Sequence, residues 1–170
     1  MPSDAPRPGR RETIEPFWLE YQRACGIKVE GFSAAAFGHS RLLADELAAL
    51  VVAGVKRAHA TPRRDFETDV EPLPQPGEHL VVLDGDGEPR AIVRNTVVEK
   101  RLFNEIDEAF AFEAGEGDLT LSWWLTAHRQ DFAARGEAEG FEVHERMELV
   151  LEYFERVWPL TPPLTEPDAG

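Results

Sequence analysis

The sequence contains one cysteine, Cys25, so no disulfide framework staples it. Lysine is scarce, occurring only at Lys28, Lys56 and Lys100. No apolar run approaches the ~18 residues that a membrane-spanning helix requires. The opening residues, MPSDAPRPGRRETIEPF, lack the apolar core of a secretory signal. A lone thiol with no export signal leads to an expected cytoplasmic location. Positive charge is the minority sign: 18 Lys and Arg face 32 Asp and Glu, a formal net charge of −14. That balance excludes the broad basic footprint of most nucleic-acid-binding domains, but leaves room for a local basic groove.

What is present suits one folded domain. The 170 residues are 42% hydrophobic and 9% aromatic, and a chain near this length buries roughly 70% of its unfolded surface. Residues 1–12 and 161–170 are rich in proline and charge without an apolar run, and are expected to be disordered tails around a domain at 13–160.

The patterning reads as α+β. A first helix is expected from Glu15 to Ala24, capped by Thr13 and stopped by Gly26. A second runs from Arg41 to Ala53, with Ser40 as N-cap and Gly54 as C-cap. A strand follows Gly54, with Val55, Arg57, His59 and Thr61 on one face and Lys56, Ala58 and Ala60 on the other. The segment EPLPQPGEH, with Pro72, Pro74 and Pro76, is stiff and extended. HLVVLD, DGDG and PRAIVRNTVVEK read as strand, turn and strand. Asn104 is expected to cap a helix ending at Ala114, and Asp118 another from Leu119 to Ala134 that ends at Gly136. Leu121, Trp124, Leu125, His128 and Phe132 share a face of that last helix. In ERMELVLEYFERVWPL the apolar residues favour helical spacing, although Met147, Leu149, Leu151 and Tyr153 also alternate as in a strand.

Several motifs fail on inspection. Asp84, Asp86 and Glu88 have the spacing of a calcium loop, but Pro89 and Asn95 occupy positions that need glycine and glutamate. The five histidines are scattered without metal-ligand spacing. Two groupings remain. GVKRAHAT (54–61) opens the densest basic stretch, with Lys56, Arg57, His59, Arg63 and Arg64; a lysine there can bind phosphate or polarise a carbonyl, or the strand is simply solvated. In AGEGDLTLSWW (114–124), Glu116 lies between two glycines at a helix entrance, either a general base or metal ligand or a solvated loop carboxylate. Trp123 is either a stacking platform or a second packing face. His128 is expected to be partly buried and hydrogen-bonded to backbone.

The ordered set PFWLEYQRACG, FGHSRLLADELAALVVAGVK, PGEHLVVLDGDGEPRAIVRNTVVE, FAFEAGEGDLTLSWWLTAHRQDF and MELVLEYFERVW resembles the ASCH family, over roughly Phe17 to Trp158. The resemblance implies a PUA-like small β-barrel flanked by helices, with a cleft for nucleic acid or nucleoside. It also implies that 146–158 is a strand, against the helical spacing. Some members are metal-assisted ribonucleases acting on single-stranded RNA, for which a divalent ion such as manganese is the implied cofactor. Small bacterial relatives are amidohydrolases that remove acyl groups from the exocyclic amine of cytidine. In those, a lysine, a threonine three residues later and a loop glutamate serve catalysis. Lys56 and Glu116 match two of these; His59 stands where the threonine is expected, Thr61 where the family has serine, and Ala114 where it has a first glutamate.

The resulting expectation is an ASCH-family RNA- or nucleotide-binding domain, with ribonuclease, nucleoside amidohydrolase and non-catalytic ligand sensor as alternatives. Lys56, His59 and Glu116 are the candidate catalytic residues. Arg57, Thr61, Arg63, Arg64 and Trp123 are the candidates for holding a short single-stranded RNA or a nucleotide. Lys56 and Glu116 are expected to meet in one site although 60 residues separate them.

Overall fold

The computed structural model describes residues 4–66 and 73–160. Pro72 and the expected C-terminal tail at 161–170 lie outside the described residues, as do residues 1–3 of the expected N-terminal tail. The elements in chain order are α1 (Arg11–Cys25), β1 (Ser33–Ala36), α2 (Arg41–Val52), β2 (Ala58–Pro62), β3 (His79–Leu83), β4 (Pro89–Leu102), α3 (Glu108–Ala114), α4 (Leu121–Glu139) and β5 (Glu148–Trp158). Short 3₁₀ turns follow β2 at Arg63–Phe66 and β4 at Phe103–Glu105. The sheet order is β1-β3-β4-β5-β2. β1 runs parallel to β3, while the β3–β4 and β2–β5 pairs are antiparallel. Among the described residues no helix is long and apolar enough to cross a membrane.

The chain divides into two compact units. The first takes residues up to Val55, Gly77–Arg94 and the chain from Glu155. Its core gathers Ile14, Trp18 and Tyr21 of α1 with Val81, Leu83 and Ile92 of the β3–β4 hairpin. Tyr21 Oη lies 3.0 Å from His79 Nε2, which satisfies two buried polar groups at once. Helix α1 starts at Arg11, four residues before the expected Glu15. Thr13 does not cap it: its hydroxyl donates back to the Arg10 carbonyl, and Arg11 pairs with Glu15 one turn on. The preceding segment, part of the expected tail, is hydrogen-bonded through Arg7 N to Gly85 O and through Asp4 O to Arg41 N. Gly26 ends α1 in the left-handed region at φ 63°, as expected. In α2, Ser40 Oγ accepts from Leu43 N, and Gly54 at φ 77° lets the chain leave the helix.

The second unit takes Lys56–Pro76 and Asn95–Phe154. Its core packs Ala58 and Ala60 of β2 and Leu149 and Leu151 of β5 against Phe110, Trp124 and Phe132 of the helices. Phe110 meets Trp124 edge-on at 5.5 Å, a favoured aromatic geometry. The ambiguous closing segment is strand β5, as the family resemblance implied and helical spacing did not. The spacing misleads because β5 is buried on both faces from Leu149 to Leu151, so the polar alternation of a half-exposed strand is missing.

Three expected boundaries are corrected here. Asn104 caps no α-helix; it sits in the 3₁₀ turn with its N–H on the Glu145 carbonyl, and Asp107 caps α3 by accepting from Phe110 N. Asp118 is displaced as N-cap by Thr120, whose hydroxyl accepts from Trp123 N. The reason is Leu119, at φ 70°: a left-handed residue cannot be the first residue of a helix. Gly136 does not end α4, which runs on to Glu139 and Gly140. A side chain at 136 would meet the Phe141 carbonyl at 2.5 Å, so this glycine serves a close backbone approach.

Candidate functional site

Lys56 leaves the turn at Gly54 and enters β2 on the same face as Ala58 and Ala60, the alternation read from the sequence. That face is the core side, so the ammonium is carried inside and Lys56 is 1% exposed. Its Nζ donates to Ala58 O at 2.8 Å, Ala114 O at 3.2 Å and Glu116 Oε2 at 3.0 Å. An ammonium has three N–H donors, and each finds an acceptor. The Ala114 carbonyl is at the C-terminal end of α3, where a cation also meets the negative end of the helix dipole.

Glu116 is presented from the loop between α3 and α4. Gly115 caps α3 at φ 73° and Gly117 turns the chain at φ 59°. Between them Glu116 is 8% exposed. Its second oxygen, Oε1, lies 3.3 Å from His128 Nε2. A carboxylate only accepts, so Nε2 is the protonated ring nitrogen in this contact. The His128 ring stacks on Trp124 with centroids 4.0 Å apart, and its Nδ1 has no hydrogen-bond partner among the described residues. The expected backbone partner of His128 is thus corrected to Glu116. Its place on the inward stripe four residues after Trp124 was the available signal, but nothing local tied that stripe to Glu116.

Burial alone raises the Glu116 carboxyl, but the Lys56 ammonium and the His128 hydrogen bond outweigh it and hold the group well below the usual carboxylate range. Burial pushes the Lys56 ammonium down, opposed by Glu116. The three acceptors around Nζ fit the charged form, so the pair is an ion pair.

Trp123 is 39% exposed and lies over the loop. A Cβ at Gly117 would stand 2.1 Å from Trp123 Cδ2, so only glycine lets the indole rest there. Gly117→Ala is expected to cost at least about 1 kcal/mol, from a positive φ and a displaced indole. Urea denaturation and a shift in tryptophan emission check it; unchanged stability and emission contradict it.

The remaining candidates do not join the pair. Arg57 Nε binds Glu113 Oε2 at 2.9 Å, and its guanidinium sits 5.7 Å from the Phe112 ring centroid. Arg64 pairs with Glu139 at 3.3 Å and stacks on Phe141 at 3.8 Å. Arg63 donates to the Phe66 carbonyl. Thr61 lies opposite Val150 in the β2–β5 register. His59 stands on the strand face opposite Ala58 and Ala60, across from Glu152 in the β2–β5 register.

The site does not suit the divalent metal that the resemblance implied. Both Glu116 oxygens are engaged, one by an ammonium that repels a cation. No group of three or more His, Cys, Asp or Glu among the described residues is placed to hold a metal ion.

A family model for the ASCH domain matches residues 33–158. Among solved structures the chain is similar to an ASCH domain from Lactobacillus crispatus, at 35% identity and TM-score 0.79, covering 88% of this chain and 96% of that one. It is also similar to a protein from Enterococcus faecalis, at 28% identity and TM-score 0.78, covering 86% and 89%. No curated protein matches. The likeness bears out the expected α+β, PUA-like small-barrel fold class. On the family match and the 35% identity over nearly the whole of the solved domain, this chain belongs to the ASCH domain family.

Proposed function

We propose that this ASCH domain binds a nucleoside-sized ligand, free or as the base of a short single-stranded RNA, through the base rather than the phosphate. The observation that carries this reading is the internal use of the basic stretch. Lys56 is buried with all three donors engaged, and Arg57 and Arg64 are paired with carboxylates. Phosphate binding depends on neutralising charge, and this chain of net charge −14 keeps those cations for itself. What the site offers instead is the half-exposed indole of Trp123, seated over the loop that carries Glu116. Stacking on an aromatic ring is worth about 1–3 kcal/mol per base.

NMR titration with nucleosides and their 5′-monophosphates tests this. A nucleoside and its monophosphate are expected to bind within about threefold of each other, and Trp123→Ala to weaken both by roughly 5–150-fold. Binding of the monophosphate alone contradicts the reading.

A hydrolytic reading is favoured by one observation, a partly buried imidazole, His59, three residues beyond Lys56 on β2. A carboxylate held far below its ordinary value is a weak base at neutral pH, so an imidazole is the better proton acceptor. In this reading His59 takes a proton from attacking water, the water oxygen bonds to the acyl carbon, and the C–N bond breaks with the proton passed to the leaving amine. Lys56 positions Glu116.

A further inference from the structure

Helix α3 turns one face to the core of the second unit, through Phe110, Ala111 and Ala114. Its other face carries Phe112, 51% exposed. That ring borders an open groove of about 460 Å³, lined by Glu108, Ala109, Phe112 and Glu113 of α3, Leu119 of the following loop and Tyr153 of β5. Arg57 shows what the ring accepts: its guanidinium lies 5.7 Å from the Phe112 centroid and is held by Glu113. Arg57 does not line the groove, so this cation leaves the groove side of the ring uncovered. Glu108, one helical turn before Phe112, stands on that side. Its Oε2 accepts from Leu121 N at 3.1 Å, and among the described residues no cation pairs with it. Leu119, another wall, is held at φ 70°. A bulky residue there is strained, and such strain concentrates at ligand clamps.

We propose that this groove takes an arginine side chain from a basic segment of a partner protein. The incoming guanidinium stacks on the groove side of Phe112, repeating the contact that Arg57 makes with the same ring. It donates to the Glu108 carboxylate, which has about four acceptor positions and spends one on Leu121 N. The methylenes of its stem run over Ala109 and Leu119. A planar fork can stack and donate at once, whereas an ammonium acts as a point charge, so arginine is favoured over lysine. The net charge of −14 favours the encounter with a basic partner. Small ligands are held by sites that bury most of their surface; an open groove along a helix suits a side chain presented on a polypeptide. The inference stands apart from the base-binding reading, because Lys56, Glu116 and Trp123 do not line this groove.

NMR titration of the intact chain with three blocked peptides, each of glycines around a central arginine, lysine or citrulline, tests this. Citrulline keeps the shape of arginine without its charge. The arginine peptide is expected to shift the amides of Ala109, Phe112, Glu113 and Leu119, and to bind at least about threefold tighter than either other peptide. Phe112→Leu keeps an apolar side chain but has no ring face, and Glu108→Gln keeps an oxygen that can accept from Leu121 N. Each is expected to weaken the arginine peptide by about 2–5-fold, and both positions are exposed, so the fold is retained. Glu137→Gln is the control: Glu137 is exposed and lies 16 residues beyond Leu121 on α4, about 24 Å along the helix, so binding should be unchanged. Equal binding of the three peptides overturns the inference. So does a loss in Glu137→Gln that matches Glu108→Gln while Phe112→Leu binds normally, which is general attraction to an acidic surface. Shifts of these amides with protein concentration and none with peptide assign the groove to a second copy of the chain and also overturn it.

Discussion

Lys56→Met is expected to destabilise the fold by about 3–5 kcal/mol, because removing one partner of a buried ion pair strands the other. Here the stranded group is the Glu116 carboxylate, 8% exposed. The Ala58 and Ala114 carbonyls lose their donor at the same time. For a chain of this size the loss corresponds to a fall in Tm of about 6–20 °C. The double variant Lys56→Met/Glu116→Gln should recover part of it, since no charge is left buried. The pair also sets the acid limb of stability. The Glu116 pKa is depressed in the folded state, so its contribution is complete above the unfolded value of about 4.3 and is lost as pH falls through the folded value. Lys56 runs the other way: burial lowers its folded value, so its cost persists at neutral pH and fades only as pH rises toward the ordinary lysine range. Thermal melts from pH 2 to 8 should show a steep acid limb in wild type and a shallower one in Glu116→Gln. A loss below about 1 kcal/mol for Lys56→Met contradicts the assignment of the pair as a structural pin.

The second large effect belongs to His59. Turnover of acylated cytidine or of single-stranded RNA is expected to fall by about 10²–10⁴-fold in His59→Ala, the usual scale of general acid–base catalysis. Thermal stability should change far less, because His59 is only partly buried and on the strand face away from the aromatic core. His59→Thr introduces the hydroxyl that the family resemblance places there, and its activity distinguishes an imidazole base from the family's arrangement. The measurement is initial rates of the three proteins on both substrates across pH 5–8. Equal rates in wild type and His59→Ala remove His59 from the chemistry. A wild type that binds nucleoside and turns over neither substrate leaves a ligand-sensing domain.

The sequence-level reading succeeded where one local signal dominates. Ser40 and Gly54 bracket α2, and DGDG joins two β-branched runs, so both elements stand where expected. Lys56 shares the parity of Ala58 and Ala60, so its inward direction was legible, and with the family's loop glutamate so was its meeting with Glu116. Reading failed where two signals compete. Asn104 and Asp107 are both good caps, and the choice between them was made by the Glu145 carbonyl that engages Asn104 N from elsewhere in the chain. Asp118 and Thr120 compete likewise, and the left-handed Leu119 between them has no composition signal. The partners of Arg57 and Arg64 lie 56 and 75 residues away, so the stretch looked like a free basic patch when it is an internally paired one. The partner of His128 is illegible for the same reason: it is on a loop whose course depends on Gly117 and Trp123.

The central claim is that ligand recognition here is base-first, without phosphate neutralisation by the 56–64 stretch. The direct measurement is the salt dependence of binding of a short single-stranded oligoribonucleotide, read as the slope of log K against log salt. Each neutralised phosphate on a single strand contributes about −0.7. With Lys56, Arg57 and Arg64 engaged internally, the expected slope is no steeper than about −1, and Arg57→Ala and Arg64→Ala should leave it unchanged. A slope steeper than about −3, flattened by either arginine substitution, would show four or more phosphates held and contradict the account.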